Sequence, residues 1–437
     1  MSIDLSKYHR WLERADTLVM LGTVRRATGL VIESDGPLVS LGELLEIKSN
    51  SDQQSTFMQV IGFHGKTVLS MPLGELKELK VGDKVVARIG AGRVKVGNGL
   101  LGRVINGLGK PIDGGGPIAS EAEYPLYSAP VNPLNRERIA QILATGVRAV
   151  DGLLACGKGQ RIGIFGGSGV GKSTLLGMMA RYTSADVNVI ALVGERGREV
   201  GEFIENDLGE EGLKRSVVIA STSDDTALVR IRAALTATAV AEFFKDQGKD
   251  VLLIMDSVTR FAMAQREIGL AAGEPPSSRG YTPSVFALLP RLLERAGNFQ
   301  SAGSITGFYT VLVEGDDMND PIADSVRSIL DGHIVLSREL ASRNHYPCID
   351  ILNSVSRLMN QIASGRQLAA AGKLREALAN YTKAEDLINI GAYVRGSNPK
   401  IDEAIAKIDA INSFLRQHSH EGVSLDSAIS ELEAIFR

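Results

Sequence analysis

One eight-residue stretch constrains this chain more than any other: Gly166-Gly-Ser-Gly-Val-Gly-Lys172-Ser173. It fits G-x-x-x-x-G-K-[ST], a phosphate-binding loop that works only between a buried strand and a helix. The context agrees, because the apolar run Arg161–Phe165 precedes it and a helix-like run, Thr174–Tyr182, follows. The glycines let the backbone wind into a nest whose amides face a β-phosphate. Lys172 brings a point charge to the β- and γ-phosphates, and the Ser173 hydroxyl is suited to ligate Mg²⁺. The nucleotide-binding set expected from this stretch is Gly167, Ser168, Gly169, Val170, Gly171, Lys172, Ser173 and Thr174.

Two carboxylates belong to the same argument. Val251-Leu-Leu-Ile-Met-Asp256 reads as a buried strand ending in an acid, which would put Asp256 at the sheet's C-terminal edge. There it can hold Mg²⁺ through water. Glu195, in Val193-Gly-Glu195-Arg196-Gly-Arg198-Glu199, follows another apolar run, Val187–Val193. It could orient or deprotonate an attacking water, or it could belong to a solvated charge cluster on a loop. The residues alone leave both readings open. A second glycine pattern, Gly97-Asn-Gly99-Leu-Leu-Gly102, matches a dinucleotide fingerprint but lacks the following helix, and is rejected as a nucleotide site. The six histidines have no metal-ligand spacing, and Cys156 reads as a small core residue.

The 437 residues divide into three textures. Residues 1–95 pair an amphipathic helix candidate (Leu5, Tyr8, Trp11, Leu12) with short strands separated by turn signals, as in a small β-barrel. Residues 96–360 open with a glycine- and proline-rich connector (96–145). They continue as buried runs alternating with helical stretches, the pattern of a mostly parallel sheet covered by helices. Residues 361–437 read as helical, broken at Gly396-Ser-Asn-Pro399. The fold class expected is therefore α/β, with a β-barrel before the nucleotide domain and helices after it. Lys and Arg total 48 against 51 acids, which argues against a chain held to nucleic acid by bulk charge. Charges scattered through Met1–Arg14 do not form a signal peptide, and no apolar run approaches the ~18 residues of a spanning helix. With only two cysteines, the expectation is a reducing cytoplasm.

Longer segments carry a family resemblance. Leu101-Gly-Arg-Val-Ile-Asn-Gly-Leu-Gly-Lys-Pro-Ile-Asp113, Thr145-Gly-Val-Arg-Ala-Val-Asp151 and Gly159–Ser173 resemble the catalytic subunits of rotary (F/V-type) ATPases. Glu274-Pro-Pro-Ser-Ser-Arg-Gly-Tyr-Thr-Pro-Ser-Val-Phe286 and the stretch from Glu314 to Asp324 are most similar to type III protein export ATPases. Leu387-Ile-Asn-Ile-Gly-Ala-Tyr393 resembles the flagellar branch rather than the injectisome branch.

The resemblance implies a RecA-like P-loop core that hydrolyses ATP with Mg²⁺. It assigns Glu195 to polarising water, Arg196 and Arg260 to the γ-phosphate, and Tyr346 to packing on adenine. Arg357 matches an arginine finger that reaches into a neighbouring subunit's site, which implies a homohexamer. The partners implied are a stator-like regulator, a central stalk protein, export-gate membrane proteins and chaperone–substrate complexes. The location implied is cytoplasmic, peripheral at the inner face of the membrane, with no nucleic acid partner. The helix at Tyr8 and Trp11 would dock the regulator, or simply pack on its own barrel. Cys348 replaces the usual Ala or Ser and is expected to matter little, being small and apolar. A short C-terminal region without an acidic lever favours hydrolysis over synthesis. The alternatives are an injectisome ATPase, a non-catalytic rotary subunit, or an RNA-tracking ring, for which the barrel lacks an aromatic and basic face.

Overall fold

The computed structural model describes residues 20–48, 55–76, 79–88, 92–128, 131–300, 302–313, 315 and 317–437. The helix expected at Tyr8 and Trp11 lies outside them. Two compact units result: one ends at Gly92 and takes in Ile268–Glu274, the other comprises Arg93–Glu267 and Pro275–Arg437.

The first unit is a closed barrel of six antiparallel strands: β1 (Leu21–Thr28), β2 (Val31–Asp35), β3 (Leu44–Lys48), β4 (Ser55–His64), β5 (Thr67–Pro72) and β6 (Lys84–Arg88). Their order is β1-β2-β5-β4-β3-β6, and β1 pairs with β6 to close it. Alternation sends Val24, Ile32, Leu45, Ile47, Met58, Val60, Val68 and Val85 inward as one core. Gly22 is required by close approach, since a Cβ there would sit 2.2 Å from the Gly36 carbonyl carbon. Gly29-Leu30 forms the turn between β1 and β2, with Gly29 at φ +58°. β3 was not anticipated, because its Glu46 breaks the apolar run; that carboxylate accepts from Arg88 Nε at 2.6 Å.

The second unit is built on a nine-stranded sheet. Its strands are β7 (Val104–Asn106), β8 (Arg161–Gly166), β9 (Val187–Glu195), β10 (Ser216–Thr222), β11 (Asp250–Asp256), β12 (Ser304–Leu312), β13 (Gly332–Leu336) and β14 (Ile349–Ser356). The ninth, Gly297–Asn298, is a short antiparallel partner of β12. The order is β14-β13-β8-β12-β11-β9-β10-β7, parallel throughout except that β14 runs against β13. The central strands are almost wholly buried, as a sheet covered on both faces requires. The connector therefore differs from the irregular passage expected: it supplies edge strand β7, paired with β10. A three-residue strand is too short to leave a periodic signal.

Helix α1 (Lys172–Tyr182) follows β8, and α2 (Ala227–Asp246) packs on β9, β10 and β11. The C-terminal helices α4 (Gly365–Asn389), α5 (Pro399–Leu415) and α6 (Leu425–Ala434) follow α3 (Val258–Ala271) in our numbering. Leu374, Ala404, Ile411, Phe414 and Leu432 from them join Ile162, Ile164 and Leu175 in one continuous core. Among the described residues no helix is long and apolar enough to cross a membrane.

Candidate nucleotide site

Because β8, β9, β11 and β12 are parallel, their C-terminal ends share one edge, and the candidate residues gather there. The loop Gly167–Gly171 leaves β8 and enters α1. Gly169 (φ +79°) and Gly171 (φ +77°) adopt the left-handed conformation that makes the nest, with Gly171 capping α1. Ser168 and Gly169 are exposed, whereas Val170 is buried at 2% exposure and anchors the loop. Lys172 Nζ lies 3.6 Å from Asp256 Oδ1, so the strand-end acid reaches the loop as expected. Thr310 Oγ1 on β12, the strand between β8 and β11, donates to the same Asp256 oxygen at 2.5 Å. Thr310 was not anticipated: the same strand also carries Ser304 and Thr306, so nothing local singles its hydroxyl out.

Ser173 is exposed on the first turn of α1, and Thr174 is half-buried behind it. A hydroxyl and a carboxylate, with no nitrogen or sulfur donor, is the ligand set that Mg²⁺ takes alongside phosphate oxygens. Among the described residues no group of three or more His, Cys, Asp or Glu side chains could hold a metal by itself.

Glu195 ends β9 on an irregularity between Val193 and Glu195, where Gly194 takes φ +71°. The kink re-aims the carboxylate, and its left-handed φ favours glycine, while a Cβ on Gly194 would also crowd Arg260 Cβ at 3.1 Å. Burial, then the charge on Asp256 and a bond with Glu199, push the Glu195 carboxyl up to about 7, against the pull of Lys172 and Arg260. Glu195, Asp256, Lys172 and Arg260 thus form one electrostatic group rather than a solvated loop cluster. Arg196 is placed differently: its side chain is 79% exposed and pairs with Glu199 at 3.1 Å.

The ring of Tyr346 lies over Gly171, 3.4 Å from where a Cβ would be, and is 41% exposed. Two residues on, the Cys348 thiol donates to the Val170 carbonyl at 2.7 Å. Burial holds that thiol protonated by pushing it up to about 11, so Cys348 braces the loop as well as filling space.

Arg357 is not in this group. It follows β14, level with Gly332 and the start of β8: its N–H donates to Asp331 O at 3.1 Å, and Asp331 N–H donates to Arg161 O at 2.8 Å. The phosphate loop begins five residues further along β8, roughly 16 Å away at ~3.3 Å per residue. The guanidinium is exposed at the opposite edge of the sheet and bonds only Arg327 O, at 3.3 Å, among the described contacts.

Helix α1 is fixed against the segment that follows Glu195. Gly177 meets a π-turn, Phe203–Leu208, so closely that a Cβ would lie 2.6 Å from Asp207 O. Gly177→Ala is therefore expected to destabilise the protein by about 1–3 kcal/mol, since backbone must move. Chemical denaturation measures it, and an unchanged midpoint would refute this packing.

Comparison with known proteins agrees with the geometry. Residues 146–356 match the nucleotide-binding domain of the ATP synthase alpha/beta family, and 24–88 match its beta-barrel domain. Residues 363–434 match the T3SS EscN ATPase C-terminal domain. The "Flagellum-specific ATP synthase" of Bacillus subtilis (strain 168) is 53% identical over 97% of each chain. The "Type 3 secretion system ATPase" of Xanthomonas euvesicatoria is 52% identical over 95% of this chain and 93% of its own. Two solved structures of the assembled ATPase EscN from enteropathogenic E. coli, the second with its central stalk EscO, have TM-scores of 0.90 and 0.88. They are 45% and 44% identical and cover 95% of this chain and 100% of theirs. The chain belongs to the type III protein export ATPases of the ATP synthase alpha/beta family.

Proposed function

We propose that this chain hydrolyses ATP to ADP and phosphate within a homohexameric ring that energises flagellar type III protein export. The observation that carries the reading is a division between two edges of one sheet. Lys172, Ser173, Asp256, Glu195 and Arg260 gather at one edge, and Arg357 stands exposed at the other. An arginine so placed serves a site only on a second copy, which makes each active site a property of two subunits.

The nest amides and Lys172 bind and orient the β- and γ-phosphates. Ser173 and, through water, Asp256 would hold Mg²⁺, which when bound offsets charge on the phosphates. Glu195 orients the attacking water and takes its proton. Arg260, beside Glu195, and the neighbour's Arg357 meet charge that grows on the γ-phosphate in the transition state. Arg196 joins them once it leaves Glu199. Tyr346 carries the adenine.

The assembled form, the flagellar system and a central stalk partner are supported by the names and assemblies of the relatives. We extend the reading to a stator-like regulator, export-gate proteins and chaperone–substrate complexes at the cytoplasmic face of the membrane. The injectisome alternative has the same chemistry and is supported by the Xanthomonas relative, the EscN C-terminal domain match and the EscN structures. The flagellar reading rests on the flagellum-specific relatives such as that of Bacillus subtilis.

Two measurements test this reading. ATP turnover per subunit is expected to rise with protein concentration as rings assemble. Lys172→Ala is expected to weaken ATP binding by ~100-fold or more, the cost of leaving the triphosphate without its charge partner. Equal turnover per subunit in dilute monomer would overturn the ring, and full ATP affinity without Lys172 would overturn the site.

A further inference from the structure

A segment outside the phosphate edge has more bonds than packing alone demands. Between α5 and α6, residues 416–423 cross back under the nucleotide domain, and Gln417 near their start is 6% exposed. Its amide nitrogen donates to Gly146 O at 2.8 Å and to Glu421 O at 2.7 Å, and its amide oxygen accepts from Arg148 N at 2.7 Å. Both donors and the acceptor are therefore engaged, so the side chain has one position. The backbone N–H of Gln417 donates to Tyr346 O at 3.0 Å.

The surrounding fit leaves this segment little room. Val423 N–H donates to Gly146 O at 3.1 Å, and Arg181 at the end of α1 bonds Ser419 O. A Cβ on Gly422 would lie 2.5 Å from the Tyr182 ring, and one on Gly146 would lie 2.2 Å from Tyr182 Cβ. Beside it opens a cavity of about 750 Å³, lined by Tyr346, Asn412, Ser413, Arg416 and Gln417 among others. Tyr346 therefore stands between two ties. One is Cys348 to the phosphate loop, the other Gln417 to the C-terminal helices.

We infer that Gln417 is a positioning residue for base binding: it sets Tyr346 over Gly171 and makes base occupancy felt by helices α5 and α6. The inference rests on the assignment of Tyr346 to the base. Physically, a fully bonded buried amide cannot follow a displaced neighbour without breaking bonds, so motion of Tyr346 is passed on or resisted.

The test is the affinity of the full-length protein for ADP, by calorimetry, in Gln417→Met, Tyr346→Ala and the double variant. Gln417→Met keeps the volume and loses the amide bonds. It is expected to weaken ADP about tenfold alone and to add almost nothing once Tyr346 is gone, the mark of residues acting as a unit. The same loss in both backgrounds, or no loss, overturns the inference. Unchanged affinity in Tyr346→Ala alone instead removes the reading of Tyr346 beneath it. Hydrogen exchange on the unmodified protein decides the matter should Gln417→Met fail to fold. Saturating ADP is expected to slow exchange in residues 416–423 together with the phosphate loop. Protection of the loop alone overturns the proposal, and protection of neither points to the nucleotide site itself.

Discussion

Arg357→Ala is expected to lower turnover by about 10³-fold or more while ATP binding stays within a few-fold, the signature of a transition-state contact. The reason is geometric. Arg357 sits level with Arg161, at the far end of the strand from the phosphate loop of its own chain. A side chain cannot span that distance, so the loss appears only where another copy supplies the finger. This leads to a result that no cis mechanism gives. Arg357→Ala and Glu195→Gln subunits are each nearly inactive alone, yet when they are mixed in equal amounts about a quarter of the interfaces in random rings join an intact Glu195 to an intact Arg357. Turnover is expected to recover to a measurable fraction of the unmodified protein. Mixed rings that demonstrably form and stay at background would rule out the finger in trans.

The parts of the molecule that sequence made legible are those that chemistry repeats. The glycine spacing around Lys172 admits one backbone path, and the buried run into Asp256 ends where a sheet edge must lie. Both were found where expected. Glu195 was ambiguous, because a charged loop and a water-orienting acid look alike in sequence; the structure shows its carboxyl buried beside Asp256, Lys172 and Arg260. Strands β3 and β7 escaped notice for different reasons: Glu46 inside one breaks the apolar run, and the other is only three residues long. The bonds of Gln417 join residues about 270 positions apart, and Thr310 reaches Asp256 across neighbouring strands. Contacts of that kind are set by topology, which local periodicity does not encode.

Glu195→Gln carries the other large effect, because it removes a proton acceptor while keeping shape and hydrogen bonding. ATP is expected to bind with affinity within a few-fold of the unmodified protein, and turnover to fall by ~10²–10⁴, the range for loss of a general base. The unmodified protein has a matching pH dependence. Burial and the neighbouring Asp256 raise the Glu195 carboxyl to about 7, so its basic form is lost as pH falls below that value. The ratio kcat/KM should therefore decline on the acid side with a midpoint near 7, and the residual rate of Glu195→Gln should lack that limb. Stability has the opposite sign. A carboxyl whose folded pKa stands above its unfolded value costs stability once pH exceeds the unfolded value, in full above the folded one. Glu195→Gln should consequently raise the unfolding temperature at pH 8 and lose that advantage toward pH 4.5. A variant that keeps the acid limb would assign it to another group. One that hydrolyses ATP at the unmodified rate would remove Glu195 from the chemistry and leave it as a buried acid tolerated beside Arg260.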